Sequence, residues 1–261
     1  MQISAPLSPW LLGPIPIGVL ALMLLAMLEA GWRLRQRHGN QSEPQGLGAV
    51  DGAVFSLMGL LVAFTFSGAA GRFDERRAQV VQEANAIGTA YLRLELLPES
   101  PRAALQEQFR QYVDERLATY RAIPDMVQVS QHLNRSIALQ GEIWKGAVKA
   151  ASETLGTPAP MLLLPALNDM IDITSTRMGS AEMHPPPVIF AMLIGLTLVS
   201  ALLAGYGMGG SAVRSWTHIV GFAVVLSLAI YLIVEIEYPR VGRVQESGFD
   251  HYLVDVRAGM K

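Results

Sequence analysis

The chain contains 261 residues, of which 51% are hydrophobic and only 16% are charged. Soluble globular domains carry about 25% charged residues, so this composition argues against an ordinary soluble protein. The formal net charge of −2 offers no basic surface for nucleic acid, and the absence of cysteine excludes disulfide and thiolate chemistry.

Four apolar stretches are each long enough to cross a bilayer, whose hydrocarbon core requires about 20 residues of helix. They are residues 11–32, 52–71, 188–208 and 218–236. The first is interpreted as a retained span, because the residues before it carry no Lys or Arg, which a secretory signal requires. The connection within each pair is short, so we expect two helical hairpins, within residues 1–71 and 185–240.

Residues 72–184 separate the two hairpins and have a soluble composition, with twelve Lys/Arg and fourteen Asp/Glu. Apolar side chains recur there at helical steps, and strand alternation is missing. The first such stripe comprises Val80, Ala84, Ile87 and Tyr91. The sequence therefore predicts an all-α membrane protein with four transmembrane helices in two hairpins, a central extramembrane helical insert, and a C-terminal tail at residues 241–261.

The second span differs from the others in charge and continuity. Residues 52–71 contain no charged side chain, and no proline interrupts the chain from there until Pro98. We therefore expect one helix to continue from this span far into the insert. The acidic residues Glu75 and Glu83 in its continuation are interpreted as part of a solvated face.

Charged side chains at membrane edges are the default functional candidates, because burying them in lipid is costly. Five of them lie at the end of the second and fourth spans or just after it, on one side of the membrane: Arg72, Arg76, Arg77, Glu235 and Glu237. A pair between Arg72 or Arg76 and Glu235 or Glu237 would tie the second span to the fourth. The alternative is anchoring at the interface, since long charged side chains reach water from a helix end.

Loop charge leaves the orientation open. The short connections within the hairpins carry Arg33, Arg35, Arg37 and Arg214, which favours a cytoplasmic position for them and an outside position for the insert. The three arginines that directly follow the second span lie on the opposite side and weigh against that assignment.

Glycines near the span ends point to close helix contacts. Gly48 and Gly52 form a small-xxx-small pair, as do Gly205 and Gly209. Gly205-Tyr206-Gly207 has the form of a potassium filter triplet, but the Thr-Val that a filter requires does not precede it. We therefore interpret this triplet as a glycine-rich turn that leaves the third span.

Sequence patterns of enzymes are missing. The chain contains no phosphate-binding loop, no zinc-protease motif and no nucleophile elbow. The histidines are scattered, with no second ligand at helical spacing. We therefore expect neither an enzymatic activity nor a cofactor nor a metal site.

Two motifs carry a resemblance to a known family. The stretch from Phe64 to Arg77, FTFSGAAGRFDERR, runs into EANAIG at residues 83–88, and EYPRVG follows the fourth span. With the four-span plan, which fits nearly the whole chain, these motifs resemble the bestrophin-like domain family of bacterial membrane proteins.

A more distant resemblance connects the chain to bestrophins proper, which are pentameric ligand-gated anion channels. In them the second span lines the pore and forms an apolar neck ahead of an Arg-aromatic pair. Placing Arg72-Phe73 on that pair implies neck positions at Ser56, Leu60 and Phe64. Ser56 departs from the apolar pattern, and the calcium clasp of animal bestrophins is not visible. Bestrophin topology would place the insert in the cytoplasm.

These observations lead to a functional hypothesis: a homo-oligomeric, anion-favouring ion channel of the bacterial inner membrane. The resemblance implies a pentamer that conducts small inorganic ions through a pore lined by the second span, with arginines at one mouth. The alternative is a non-conducting membrane scaffold or sensor whose helical insert binds a partner. A secondary transporter fits less well, because broken helices and midplane charges are missing.

Overall fold

A computed structural model describes residues 14–38, 47–153, 158–210, 214–239, 248 and 250–260. Within those ranges all regular structure is helical, which confirms the predicted all-α class. The helices are α1 Pro14–His38, α2 Leu47–Arg93, α3 Glu99–Arg121, α4 Met126–Ser152, α5 Ala159–Glu182, α6 Pro187–Met208, α7 Trp216–Glu237 and α8 His251–Gly259. The start of the predicted first span, parts of both short connections and most of the first half of the tail lie outside the described residues.

Four helical segments are long and apolar enough to cross a membrane, and each overlaps one of the four predicted spans. The chain is therefore a multi-pass membrane protein. The third span corresponds to α6, which begins at Pro187, because proline fixes a helical φ and its missing N–H is not needed in the first turn. The arrangement of the spans as two hairpins stays a prediction.

Helix α2 has 47 residues and continues without a break beyond the predicted span. At 1.5 Å per residue it is about 70 Å long, more than twice the roughly 30 Å hydrocarbon core. A short 3-10 turn, Leu94–Leu96, follows it, and Pro98 then precedes α3. The predicted continuity of the second span with the insert is confirmed.

The chain divides into two compact units. We call α1, α2 up to Gly71, α6 and α7 the span unit. We call Arg72–Met183 together with α8 the insert unit. Helix α2 contributes to both.

Inside the span unit, glycines bring α1 and α6 into backbone contact. A Cβ atom at Gly31 would lie 2.0 Å from the carbonyl oxygen of Leu202, and one at Gly205 would lie 2.0 Å from that of Leu28. Gly205 therefore sits inside α6 against α1, and its interpretation as part of a turn is wrong. The triplet is helical, and position 205 requires glycine because the backbone of α1 leaves no room there for a side chain.

The insert unit has an apolar core that joins the second half of α2 to α3, α4, α5 and α8. Val80, Ala84 and Ile87 are buried as the periodicity predicts, and Tyr91 packs at the edge. Asp125 caps α4 by accepting hydrogen bonds from the backbone amides of Val127 and Gln128.

Candidate functional site

The three predicted neck residues share one face of α2, because each lies four residues from the next. All three are exposed on the protomer: Leu60 at 51% and Phe64 at 67%, with Ser56 beside them. The Ser56 hydroxyl donates to the carbonyl oxygen of Gly52 at 2.7 Å. Since that hydrogen bond turns the hydroxyl toward its own backbone, Ser56 adds less polarity to this face than its side-chain type suggests.

The opposite face of α2 packs inside the span unit. Ala69 is fully buried in a cluster with Leu193, Ile230 and Ile233, and Leu61 packs beside it. The helix is therefore asymmetric, with one face held by its own protomer and the face of Leu60 and Phe64 left open.

The open face of α2 also differs in chemistry from that of α7. Most exposed residues on α7 are large and apolar, as at Val220, Val225 and Leu228, while exposed small and polar residues lie only near its start, at Thr217, His218 and Gly221. On α2, Ser67 and Gly71 continue the line of Leu60 and Phe64, so the exposed face becomes smaller and more polar toward the charged end.

Arg76 supports the insert unit from within. Its side chain is 8% exposed, and its guanidinium donates to the carbonyl oxygens of Ser180 at 3.2 Å and Met183 at 3.0 Å. These carbonyls belong to the C-terminal end of α5, where free acceptors and the helix dipole favour a cation. Gln79 adds a hydrogen bond to the Ser180 hydroxyl at 2.7 Å.

The other two arginines of this group are more exposed. Arg77 forms a 3.3 Å ion pair with Asp74, and its guanidinium lies 5.3 Å from the centre of the Phe73 ring. Arg72 is half-buried. A place for Arg72, Arg76 and Arg77 at a pore mouth stays a prediction.

Glu235 and Glu237 at the end of α7 are buried, at 1% and 0% exposure. Glu235 accepts a hydrogen bond from the Tyr231 hydroxyl, and Glu237 lies 3.0 Å from Nδ1 of His184. The His184 ring also stacks on Tyr238, with 4.4 Å between ring centres. The contacts of His184 fasten the segment just before α6 to the end of α7, whereas the predicted pairing of these glutamates with arginines of α2 stays untested.

The structure corrects the interpretation of Glu83 as a solvated side chain. Glu83 is completely buried in the insert unit, where its carboxylate accepts from Arg116 Nε at 2.6 Å, from Arg177 and from the Tyr120 hydroxyl at 3.0 Å. Both guanidinium groups lie over the Tyr120 ring, at 5.0 and 4.2 Å from its centre. One carboxylate thus joins α2 to α3 and α5.

Electrostatics keep this buried carboxylate ionised. Burial by itself would raise the pKa of Glu83, but the charges and hydrogen bonds of Arg116 and Arg177 outweigh burial and hold the pKa at about 2. Two cations around one anion leave a surplus of one positive charge. The neighbouring Tyr112 hydroxyl lies within hydrogen-bonding distance of Gln140 and Thr174, and burial raises its pKa.

The helical periodicity of the sequence contains a signal that Glu83 is buried. Val80, Ala84 and Ile87 form the buried stripe of α2, and position 83 lies between them on the same side of the helix. An acidic residue at such a position requires cationic partners, which lie 33 and 94 residues away in the chain.

In the part of the chain that the structure describes, no group of three or more histidine, aspartate or glutamate side chains could hold a metal ion.

Comparisons with known proteins agree with this architecture. The family profile of the bestrophin-like domain matches residues 18–245. A crystal structure of a bacterial bestrophin homologue from Klebsiella pneumoniae, a tyrosine-to-alanine variant, is similar in fold, with a TM-score of 0.65 and 14% sequence identity. That similarity covers 93% of this chain and 99% of the other. A search of curated proteins found no match. Because the family profile covers most of the chain, the protein belongs to the bestrophin-like family.

Proposed function

We propose that this protein is a homo-oligomeric, anion-favouring ion channel of the bacterial inner membrane, with α2 lining the pore. The observation that carries the proposal is the open face of α2. The helix buries one side in its own protomer and exposes Leu60 and Phe64, one turn apart, in line with small and polar residues. Such a face suits a water-filled passage with an apolar constriction better than it suits lipid alone.

A passage for ions requires several protomers. The middle of the span unit is filled mainly by apolar side chains, among them Leu24, Leu28, Ala201 and Ala223. Its buried hydroxyls, at Thr197, Ser200 and Ser227, carry no charge, so the core of one protomer is poorly suited to an ion. Open faces of α2 from several copies could instead surround a common axis. Five copies are proposed from the resemblance to bestrophins.

The proposed selectivity rests on charge at the end of α2. Arg72 and Arg77, repeated in each copy, would raise the local concentration of anions at one mouth. Glu235 and Glu237 are buried in the protomer and so present little negative surface to water.

Planar-bilayer recording of the purified protein tests the proposal. Leu60→Ala widens an apolar constriction and makes it easier to wet, so we expect a higher conductance than that of the unmodified protein. Leu228→Ala is the matched control, because Leu228 on α7 is 53% exposed, close to the 51% of Leu60. Lack of conductance, together with a monomeric mass in detergent, would overturn the proposal.

A scaffold or sensor role is the second candidate. It is favoured by exposed apolar side chains in the insert unit, with Met161 at 80%, Val127 at 69% and Leu92 at 63% exposure. These side chains offer contacts for a partner protein. Conductance of the purified protein without any partner would decide against a purely scaffolding role.

A further inference from the structure

A cationic and aromatic cluster occupies one end of the span unit. The Arg214 guanidinium lies between two indole rings, 4.7 Å from the centre of Trp32 and 4.7 Å from that of Trp216. Glu29 forms ion pairs with Arg214 and with Arg33, the latter at 2.6 Å. Tryptophan beside arginine is typical of the membrane interface, where the ring contacts lipid and the cation stays near water.

Among the described residues of this cluster, positive charge exceeds negative charge. Glu29 shares its single charge between two guanidinium groups, and Arg35 and Arg37 add two more cations on the same helix end. The Arg35 guanidinium lies 5.3 Å from the centre of the Tyr206 ring. The Nε atom of Arg214 is buried and has no hydrogen-bond partner among the described residues. The cluster is therefore suited to an additional anionic ligand.

An apolar groove opens beside the cluster. It lies between α2, α6 and α7, has a volume of about 630 Å³, and is lined mainly by apolar side chains such as Phe55, Met208 and Phe222. His218 also lines it, and its Nδ1 lies 2.6 Å from the hydroxyl of Ser215, the chain neighbour of Arg214. The groove is thus connected to the cationic cluster through two residues, and its volume lies in the usual range of ligand sites, about 300–1,000 Å³.

We propose that the cluster and the groove together form a binding site for one anionic phospholipid. The phosphate of the headgroup would contact the guanidinium groups of Arg214 and Arg33, because the planar donor pair of arginine matches phosphate oxygens. An acyl chain would fill the groove. A free anion would contact the cationic cluster alone, whereas a lipid would contact both the cluster and the groove. Basic sites at membrane edges commonly select anionic lipids.

Native mass spectrometry of the purified full-length protein in detergent tests this site. The protein is mixed with phosphatidylglycerol or with phosphatidylcholine of the same acyl chains, and in a third arm with phosphatidylglycerol plus excess inorganic phosphate. We expect phosphatidylglycerol to be retained about tenfold more than phosphatidylcholine, since charge-assisted contacts with phosphate are the stronger ones. Inorganic phosphate should displace little of it, because phosphate cannot fill the groove.

Paired variants separate the two parts of the site. Arg214→Gln should remove the preference for phosphatidylglycerol. If the Arg214→Gln protein does not fold, Arg33→Gln should show the same loss of preference. Gly221→Leu should lower retention of both lipids by filling the groove, where a Cβ atom at Gly221 meets nothing within 4 Å. Gly195→Leu, equally open in α6 but outside the groove, should leave retention unchanged.

Three results would overturn the proposal. Equal retention of the two lipids would show that the cluster does not select lipids by the charge of the headgroup. Full displacement by inorganic phosphate would show a simple anion site. A changed oligomeric state in Gly221→Leu, with unchanged lipid retention, would show that a second copy of the chain covers the groove.

Discussion

Replacement of Glu83 by glutamine should strongly destabilise the insert unit. The substitution keeps the size of the side chain and removes its charge, so two buried guanidinium groups lose the carboxylate that neutralises one of them. Replacement of Arg177 by methionine has the opposite effect on charge. It leaves the Glu83–Arg116 pair, which is neutral, and removes the surplus cation.

The balance of buried charges gives the expected change in the free energy of unfolding for each variant. Breaking a buried ion pair by removing one partner costs about 3–5 kcal/mol, because an uncompensated charge stays in the core. The drop in the pKa of Glu83 from 4.5 to about 2 corresponds to about 3 kcal/mol, in the same range. Arg177→Met loses a hydrogen bond and a contact with the Tyr120 ring, so we expect a cost of about 1–2 kcal/mol.

Chemical unfolding in detergent, followed by circular dichroism, measures these differences. Hydrogen exchange of the α2 and α3 amides shows whether the loss occurs in the insert unit. Glu75→Gln is the control on the same helix, since Glu75 is exposed. The reasoning is refuted if Glu83→Gln costs less than about 1 kcal/mol, or if Arg177→Met costs as much as Glu83→Gln.

Three further predictions concern pH, packing and selectivity. Because the folded-state pKa of Glu83 is depressed, its stabilising effect is present above pH 4.5 and is lost as the pH falls toward 2. The difference in melting temperature between the unmodified protein and Glu83→Gln should therefore shrink across that window. A difference that stays constant with pH contradicts this prediction. Gly31→Ala places a methyl group 2.0 Å from the Leu202 carbonyl oxygen and should cost at least about 1–3 kcal/mol in a thermal unfolding assay, whereas Gly18→Ala, with nothing within 4 Å, should cost little. Arg77→Gln should lower the anion-to-cation permeability ratio measured from reversal potentials, and an unchanged ratio would remove Arg77 from the proposed mouth.

The membrane plan followed from the sequence because its physical cause is local. A bilayer requires about 20 apolar residues in each helix, and a chain either contains such stretches or does not. The continuity of α2 could also be predicted from the sequence, since the end of a helix depends on nearby residues such as Pro98. The buried stripe of Val80, Ala84 and Ile87 followed from period alone.

Contacts between distant segments were beyond local patterns. Glu83 looked like a surface residue until folding placed Arg116 and Arg177 against it. Gly205 looked like part of a turn until α1 was found against its backbone. In both cases the role of the residue depends on a partner helix, and sequence spacing does not say which helices meet.

The sequence by itself determined that this protein crosses the membrane four times, that its insert is helical, and that its second span is singled out by lack of charge and by continuity. Only the tertiary structure decided which face of that span is open, that Leu60 and Phe64 lie on it, and that Arg76 holds the end of α5. The physical reason is that hydrophobic length and period are properties of a segment, whereas exposure, charge compensation and close approach are properties of the surfaces that segments present to one another.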